Sequence, residues 1–261
     1  MSAKAYYTKE EVMKMLNKPS ATFQREVNAG IIPSEIEEGR QRGRKFPKEA
    51  IDAYVQLVKK GDQRNFKFEP STNADLWKRV QNSLRVYGAE DIVSYKRVLE
   101  WKEINPDIYM SLKDGDKLVG AVTIMPLAES TIQSLIRGKI REQQIPDWAI
   151  KKWNESALSA YIPTVTIVAS GDKVIDGIRK RSLIRYTLRW AITLDKQYDI
   201  KNWYGIAATP EGERLMRDLG FKPVSPNYKG YILESIEKSS KFLQDFIKKV
   251  EAEDEDIPMQ G

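Results

Sequence analysis

A chain of 261 residues suits one small domain joined to one of medium size better than a single ordinary domain. With 41% hydrophobic and 31% charged residues and a mean hydropathy of -0.53, a globular chain is expected, and no apolar run reaches the roughly 18 residues that span a bilayer. Cysteine and histidine are both absent, which excludes disulfides and thiolate metal sites and removes the commonest metal ligand and general base, so no metal is expected. The first residues, Met1 to Lys9, lack the apolar stretch of a signal peptide, and a cytoplasmic location is expected, nucleoid-associated if the source is a prokaryote. A net charge of +6 and a pI near 9.2 favour a polyanionic partner.

Thr8-Lys9-Glu10-Glu11 reads as a capping box, because the Thr8 hydroxyl accepts from the Glu11 amide while the Glu11 carboxylate reaches back. A helix from Lys9 to about Leu16 is predicted, then a polar break over Asn17-Lys18-Pro19-Ser20 with Ser20 as the next N-cap. The second helix, Ala21 to Ala29, turns Phe23 and Val27 inward and Thr22, Gln24, Arg25 and Asn28 outward, and Gly30 stops it in a left-handed conformation. After Pro33 the run Gly39-Arg40-Gln41-Arg42-Gly43-Arg44-Lys45 puts basic side chains on a hairpin wing. Phe46-Pro47 then opens a further helix whose apolar face is Ile51, Tyr54, Val55 and Val58. Residues 1 to 60 hold twelve Lys and Arg against eight Asp and Glu, a net +4, so one copy should bind weakly and a dimer is expected.

Tyr7-Thr8-Lys9-Glu10-Glu11-Val12, Ser20-Ala21-Thr22-Phe23, Asn28-Ala29-Gly30-Ile31-Ile32-Pro33 and Lys45-Phe46-Pro47-Lys48-Glu49-Ala50-Ile51-Asp52 resemble the winged helix-turn-helix of the excisionase and MerR-like families. The resemblance implies double-stranded DNA as partner, with the helix from Ser20 in a major groove and Arg40, Arg42, Arg44 and Lys45 of the wing on phosphate or the adjacent minor groove. Guanidinium groups suit both tasks by donating in a planar fork, and on a basic tip they release counterions. A solvated basic loop is the bland alternative.

Lys59 to Asn65 is polar and carries Gly61, so the first domain and its linker are taken as 1–64 and the second as 65–234. There the pattern predicts a strand at Phe66 to Pro70, helices through Leu76 to Val86 and from about Glu90 to Ile104, and a hairpin of Ile108 to Leu112 with Lys117 to Ile124 across Asp114-Gly115. Residues 129 to 160 read as mixed and helical, broken at Pro146, with Trp148 and Trp153 as buried anchors. A strand at Thr164 to Ala169 and a helix from about Arg179 to Tyr198 follow, then a strand at Trp203 to Ala207 and a helix from Pro210 to Leu219 stopped by Gly220. Two short strands, Phe221 to Val224 and Tyr228 to Leu233, close the domain. Residues 235–261 carry an amphipathic helix to Glu251, either docked on its own domain or pairing two chains, and an acidic tail over Glu251 to Asp256 expected to be disordered.

Phe66-Lys67-Phe68-Glu69-Pro70 with Asn73-Ala74-Asp75-Leu76, Asp114-Gly115-Asp116-Lys117-Leu118-Val119-Gly120-Ala121, and the stretch Ala208 to Phe221 ending Leu219-Gly220-Phe221 resemble the GNAT family of acyl-CoA-dependent N-acetyltransferases. The fold class is then α/β, an α+β mixed sheet of GNAT-like form, with a small N-terminal winged helix-turn-helix domain. The resemblance implies acetyl-CoA as cofactor, with Val168 in its site and its pyrophosphate at the stretch Ser170 to Ser182, where Gly177, Arg179, Lys180, Arg181 and Ser182 stand in place of the family's glycine pattern. Those basic side chains could equally hold phosphate, block it, or form a solvated helix start. The family's tyrosine acid, four or five residues before the Gly-Phe pair, is replaced by Leu215 and Met216; Tyr204, Tyr186 and Tyr161 remain as donors and Glu129 as a carboxylate base. The favoured function is a transcriptional regulator whose GNAT-like domain senses or assembles, a homodimer through the C-terminal helix or that domain. An active N-acetyltransferase targeted to DNA is the rival, and a scaffold that binds an acidic surface is a third reading.

Overall fold

The computed structural model describes residues 5–36, 43–62, 66–87, 92–225 and 229–255. They group into two compact units, 1–66 with 167–182 and 67–166 with 183–261.

In the first unit a two-residue strand β1 (Tyr6–Tyr7) leads into α1 (Lys9–Met15), and both halves of the Thr8/Glu11 capping box are made. The chain reverses through Asn17, which takes a positive φ of 48°, into α2 (Ser20–Asn28). Pro19, not Ser20, is the N-cap. Ser20 lies in the first helical turn and makes no capping bond, because proline already sets the extended φ/ψ that a cap requires. Gly30 has φ +69°, the left-handed conformation that ends α2. Phe46–Pro47 forms β2, paired antiparallel with β1 through Tyr6↔Pro47 and Tyr7↔Phe46, and α3 (Lys48–Asp62) starts only after it. Proline is tolerated there because so short a strand is all edge. The stem of the wing is the Glu35↔Lys45 bridge, with backbone bonds of 2.9 and 2.8 Å. Arg40 and Arg42 at its tip lie outside the described residues. Val12, Phe23, Val27, Ile32, Phe46, Ile51, Tyr54 and Val55 make one buried cluster, so α1, α2, β2 and α3 all contribute to a single small core.

The second unit is a mixed α/β fold on a seven-stranded sheet. In chain order the elements are β3 (Lys67–Pro70), α4 (Asn73–Tyr87), α5 (Tyr95–Ile104), β4 (Tyr109–Asp114), β5 (Lys117–Leu127), α6 (Glu129–Ile136), β6 (Leu158–Ile167), α7 (Lys173–Gln197), whose residues up to Ser182 group with the first unit, β7 (Ile200–Ile206), α8 (Pro210–Leu219), β8 (Lys222–Pro223), β9 (Gly230–Leu233) and α9 (Lys241–Glu255). Across the sheet the order is β3-β4-β5-β6-β7-β9-β8. The Asp114-Gly115 turn closes β4 on β5, with Gly115 at φ +59°. From Leu118 to Leu127 β5 is buried without alternation, as a strand covered on both faces must be. The pair β6 and β7 runs parallel from Leu158↔Ile200 to Ile162↔Gly205, with a register shift after Leu158, while β6 extends on to Ile167.

Further along the chain the structure departs from the expected pattern. Residues 129 to 160 hold only one α-helix, followed by single 3₁₀ turns at Glu142–Gln144 and Asp147–Ala149, and β6 begins at Leu158. In the second of those turns Ala149 faces inward and Trp148 is 66% exposed; Trp153 is buried and stacks on Tyr198 at 5.6 Å. Helix α7 starts at Lys173 because Asp172 Oδ1 accepts from the amides of Val174 (2.7 Å) and Ile175 (3.2 Å), a cap strong enough to carry the helix through Gly177. Helix α9 continues to Glu255 through residues expected to be disordered, and Lys196 pairs with Glu251 at 3.0 Å. It docks on its own unit: Ser240 donates its backbone amide to the Leu219 carbonyl, and Leu243 and Val250 are buried, whereas Phe242 of the expected apolar face is exposed.

Candidate functional site

Helix α2 divides cleanly between core and solvent. Phe23 and Val27, one turn apart, are buried, whereas Ser20, Gln24, Arg25 and Asn28 are exposed and Thr22 is half-buried. Gln24 donates to Asn28 Oδ1 at 3.2 Å, which lines two amide side chains along the exposed stripe. The one carboxylate of α2, Glu26, is neutralised by Lys18 at 2.8 Å. On the wing stem Arg44 donates from Nη1 to Ser34 Oγ at 3.1 Å, and Lys45 lies 5.5 Å from the Tyr6 ring centroid. Lys48 sits 5.2 Å from the Tyr7 ring, whose hydroxyl donates to Asp52 at 3.0 Å. An exposed polar helix beside a basic stem can present hydrogen-bonding groups to base edges and cations to phosphate.

Val168 and the first turns of α7 are joined by several bonds, with the buried Nε of Arg179 left without a hydrogen-bond partner. Asp172 takes two amides at the helix start, and Asp176 Oδ1 accepts from the Ser170 amide at 2.8 Å. Arg179 is almost fully buried, donates from Nη1 to the Val168 carbonyl at 2.8 Å, and lies 3.8 Å from Asp176. Gly177 lies within the helix, Lys180 is exposed, and Arg181 and Ser182 are half-buried. Asp172 thus occupies two amides of the helix N-terminus, where a phosphate would otherwise be drawn, and Asp176 takes the amide of Ser170 just before the helix.

In the second unit, Glu129 and Tyr204 meet. Glu129 is the first residue of α6, and its Oε1 accepts from the Tyr204 hydroxyl at 2.6 Å and from Gln133 Nε2 at 3.0 Å. Its Oε2 accepts from the Ser159 hydroxyl at 2.5 Å. The register Tyr161↔Tyr204 and the two-residue period place Ser159, Tyr161 and Tyr204 on one face of the parallel pair. Tyr204 and Ser159 are buried while Glu129 reaches solvent, so a solvent-accessible carboxylate stands on buried hydroxyls. Burial, followed by the Glu129 bond and charge, holds the Tyr204 phenol above its ordinary value. Next to it the Tyr161 hydroxyl donates to Glu142 Oε1 at 2.9 Å; burial pushes the Glu142 carboxyl up against the opposing pull of Tyr161 and Arg79. Arg79 lies 5.3 Å from the Tyr109 ring centroid. Ser159, Gln133, Glu142 and Arg79 carry no sequence signal, since four separate elements bring them in. Met216 packs over Gly205, where a side chain on residue 205 would collide with its Cε. Tyr186, the remaining phenol considered, stacks on Phe68 at 5.4 Å, well suited to packing.

Among the described residues no group of three or more Asp or Glu is placed to hold a metal ion, and no helix is long and apolar enough to cross a membrane. No curated protein matches the chain. Among solved structures the chain is similar to Ard1 from Thermoplasma volcanium, at 11% identity over 64% of this chain and 94% of that one, with a TM-score of 0.41. It is similar to a mutant AtaT toxin bound to the C-terminus of the antitoxin AtaR and acetyl-CoA, at 13% identity over 70% and 99%, with a TM-score of 0.40. A third is the loading GNATL domain of CurA from Lyngbya majuscula, at 11% identity over 66% and 98%, with a TM-score of 0.44. Residues 6–56 match the family model described as a helix-turn-helix domain. With the paired helices α1 and α2, the wing stem and the single core beneath them, residues 6–56 are a helix-turn-helix domain.

Proposed function

We propose that the chain is a sequence-specific DNA-binding regulator. The observation that carries this is the exposed stripe Ser20, Gln24, Arg25 and Asn28 on the second helix of a helix-turn-helix domain, beside the basic stem of Arg44 and Lys45. Amide and guanidinium groups read adenine and guanine edges, and a basic wing adds affinity that falls with salt. The single domain carries only a modest positive charge, so two copies act together on one site. The second unit then senses or assembles rather than transferring acetyl groups. What supports this is the start of α7, where Asp172 accepts from the Val174 and Ile175 amides, Asp176 from the Ser170 amide, and Arg179 Nη1 donates to the Val168 carbonyl. The test is fluorescence anisotropy of the full chain on a duplex enriched from a random pool. Saturable binding that weakens steeply with salt supports the reading, and no binding at low salt overturns it.

A second reading, an N-acetyltransferase brought to DNA, draws on the Glu129–Tyr204–Ser159 cluster. A carboxylate and a phenol in direct hydrogen bond are what proton transfer to and from an amine requires. Calorimetry with acetyl-CoA separates the two, since heat of binding favours the enzyme and its absence the regulator.

A further inference from the structure

Residues 167–182 are separated from residue 66 by a hundred positions of sequence, yet they group with the helix-turn-helix residues. Val174, in the first turn of α7, packs against the core formed by Val12, Phe23, Val27, Ile32, Phe46, Ile51, Tyr54 and Val55. One residue earlier, Lys173 Nζ lies 3.5 Å from the carbonyl oxygen of Ala29, the C-cap of α2, and 3.7 Å from the point where a Cβ on Gly30 would stand. The last carbonyls of a helix carry partial negative charge and lack intrahelical donors, so an ammonium group there is favourable. Asp172 fixes the turn that presents both side chains, by capping the amides of Val174 and Ile175. The C-terminal end of α2 is therefore held from outside the matched domain, next to Asn28.

We infer that Lys173 and Val174 are positioning residues for the helix that reads DNA, and that the reading unit is discontinuous in sequence, completed by the start of α7. This rests on the DNA-binding reading above. Base readout demands side chains placed to within about 0.5 Å, whereas phosphate contacts tolerate more. A loosened α2 should therefore lose discrimination between sequences before it loses affinity for DNA as such.

The experiment uses the full chain and two probes, a duplex enriched from a random pool on the wild-type protein and an unselected duplex. Lys173→Ala is expected to lower the ratio of the two affinities about two- to fivefold, the worth of one charge at a helix end. Affinity for the unselected duplex and its salt slope should stay as in the wild type, and Lys173→Arg should restore the ratio. Val174→Asp puts a carboxylate against the core and should lower the ratio about tenfold or more; Val174→Ala does so more mildly and keeps the measurement open if the aspartate variant unfolds. An unchanged ratio in Lys173→Ala overturns the inference, as does a proportional loss on both probes, which would make Lys173 a phosphate contact. A wild-type chain that binds neither duplex sinks the DNA reading itself, a result told apart by the wild-type measurement alone.

Discussion

The two units carry their polar chemistry in opposite ways. In the first, the groups proposed to read DNA fall within a short run from Ser20 to Lys45. In the second, Glu129, Ser159 and Tyr204 come from α6, β6 and β7, with Tyr204 75 positions from the carboxylate it bonds. A reading face is a helix surface, so local periodicity writes it; a proton-transfer cluster is made by strand register, which no local rule contains. The contrast also separates the energetics, because the first unit rests on one small core while in the second β5 is covered on both faces.

The largest effect should come from that small core. Phe23 is 1% exposed and lies 5.5 Å from the Phe46 ring, and Phe23→Ala is expected to cost about 3–5 kcal/mol. In calorimetry the first unit should melt early or be unfolded, with DNA binding lost, while the transition of the second unit stays. A single transition displaced as a whole would mean that the units do not differ as described.

In the second unit, Asp75 completes a reciprocal cap with Thr72 at the start of α4 and pairs with Lys113 at 2.9 Å. Burial would raise its carboxyl, but the Thr72 and Lys113 bonds outweigh this and hold it below the ordinary range. Asp75→Ala should destabilise this unit by about 2 kcal/mol. A depressed carboxyl contributes stability that is present above its ordinary value and is lost as pH falls through the folded one, so the variant's melting should depend less on acid than the wild type's. DNA binding should be untouched; a parallel loss there would erase the contrast.

Arg25→Ala sharpens the comparison from the other side. The side chain is exposed, so thermal stability should hold, while affinity for the enriched duplex falls about tenfold. Equal binding by the variant would take Arg25 off the reading face.

What the sequence could and could not disclose follows the same division. The Thr8/Glu11 box, the stop at Gly30 and the bounds of α8 from Pro210 to Gly220 are set by neighbours within four residues, and all three stand as expected. The β1–β2 pairing joins residues about 40 apart through strands of two residues, too short for any alternation to register. The helix expected from about Arg179 begins at Lys173 instead, because the deciding group is Asp172, upstream of Gly177. Trp148 looked like an anchor by residue type alone, and only the 3₁₀ turn at Asp147–Ala149 decides that its neighbour goes inside instead. For the candidate site, Glu129 and Tyr204 were nameable as types of residue that do such chemistry. Their meeting was not, because it needs β6 and β7 in parallel register and α6 at the end of β5.

That meeting is open to a smaller but direct measurement. Tyr204 is held above its ordinary value first by burial and then by the hydrogen bond and charge of Glu129. Glu129→Gln keeps the shape and removes the charge, so the phenol should titrate nearer its ordinary value while staying above it, because burial remains. Absorbance of the tyrosinate, compared between the variant and a Tyr204→Phe control, isolates this one group among twelve tyrosines. A raised phenol contributes stability that is complete below its ordinary value and is lost as pH rises through the folded one, so the wild type should be the more sensitive to strong alkali and Glu129→Gln less so. Identical alkaline titrations of the two proteins would mean that carboxylate and phenol do not communicate, and the second reading would lose the observation on which it stands.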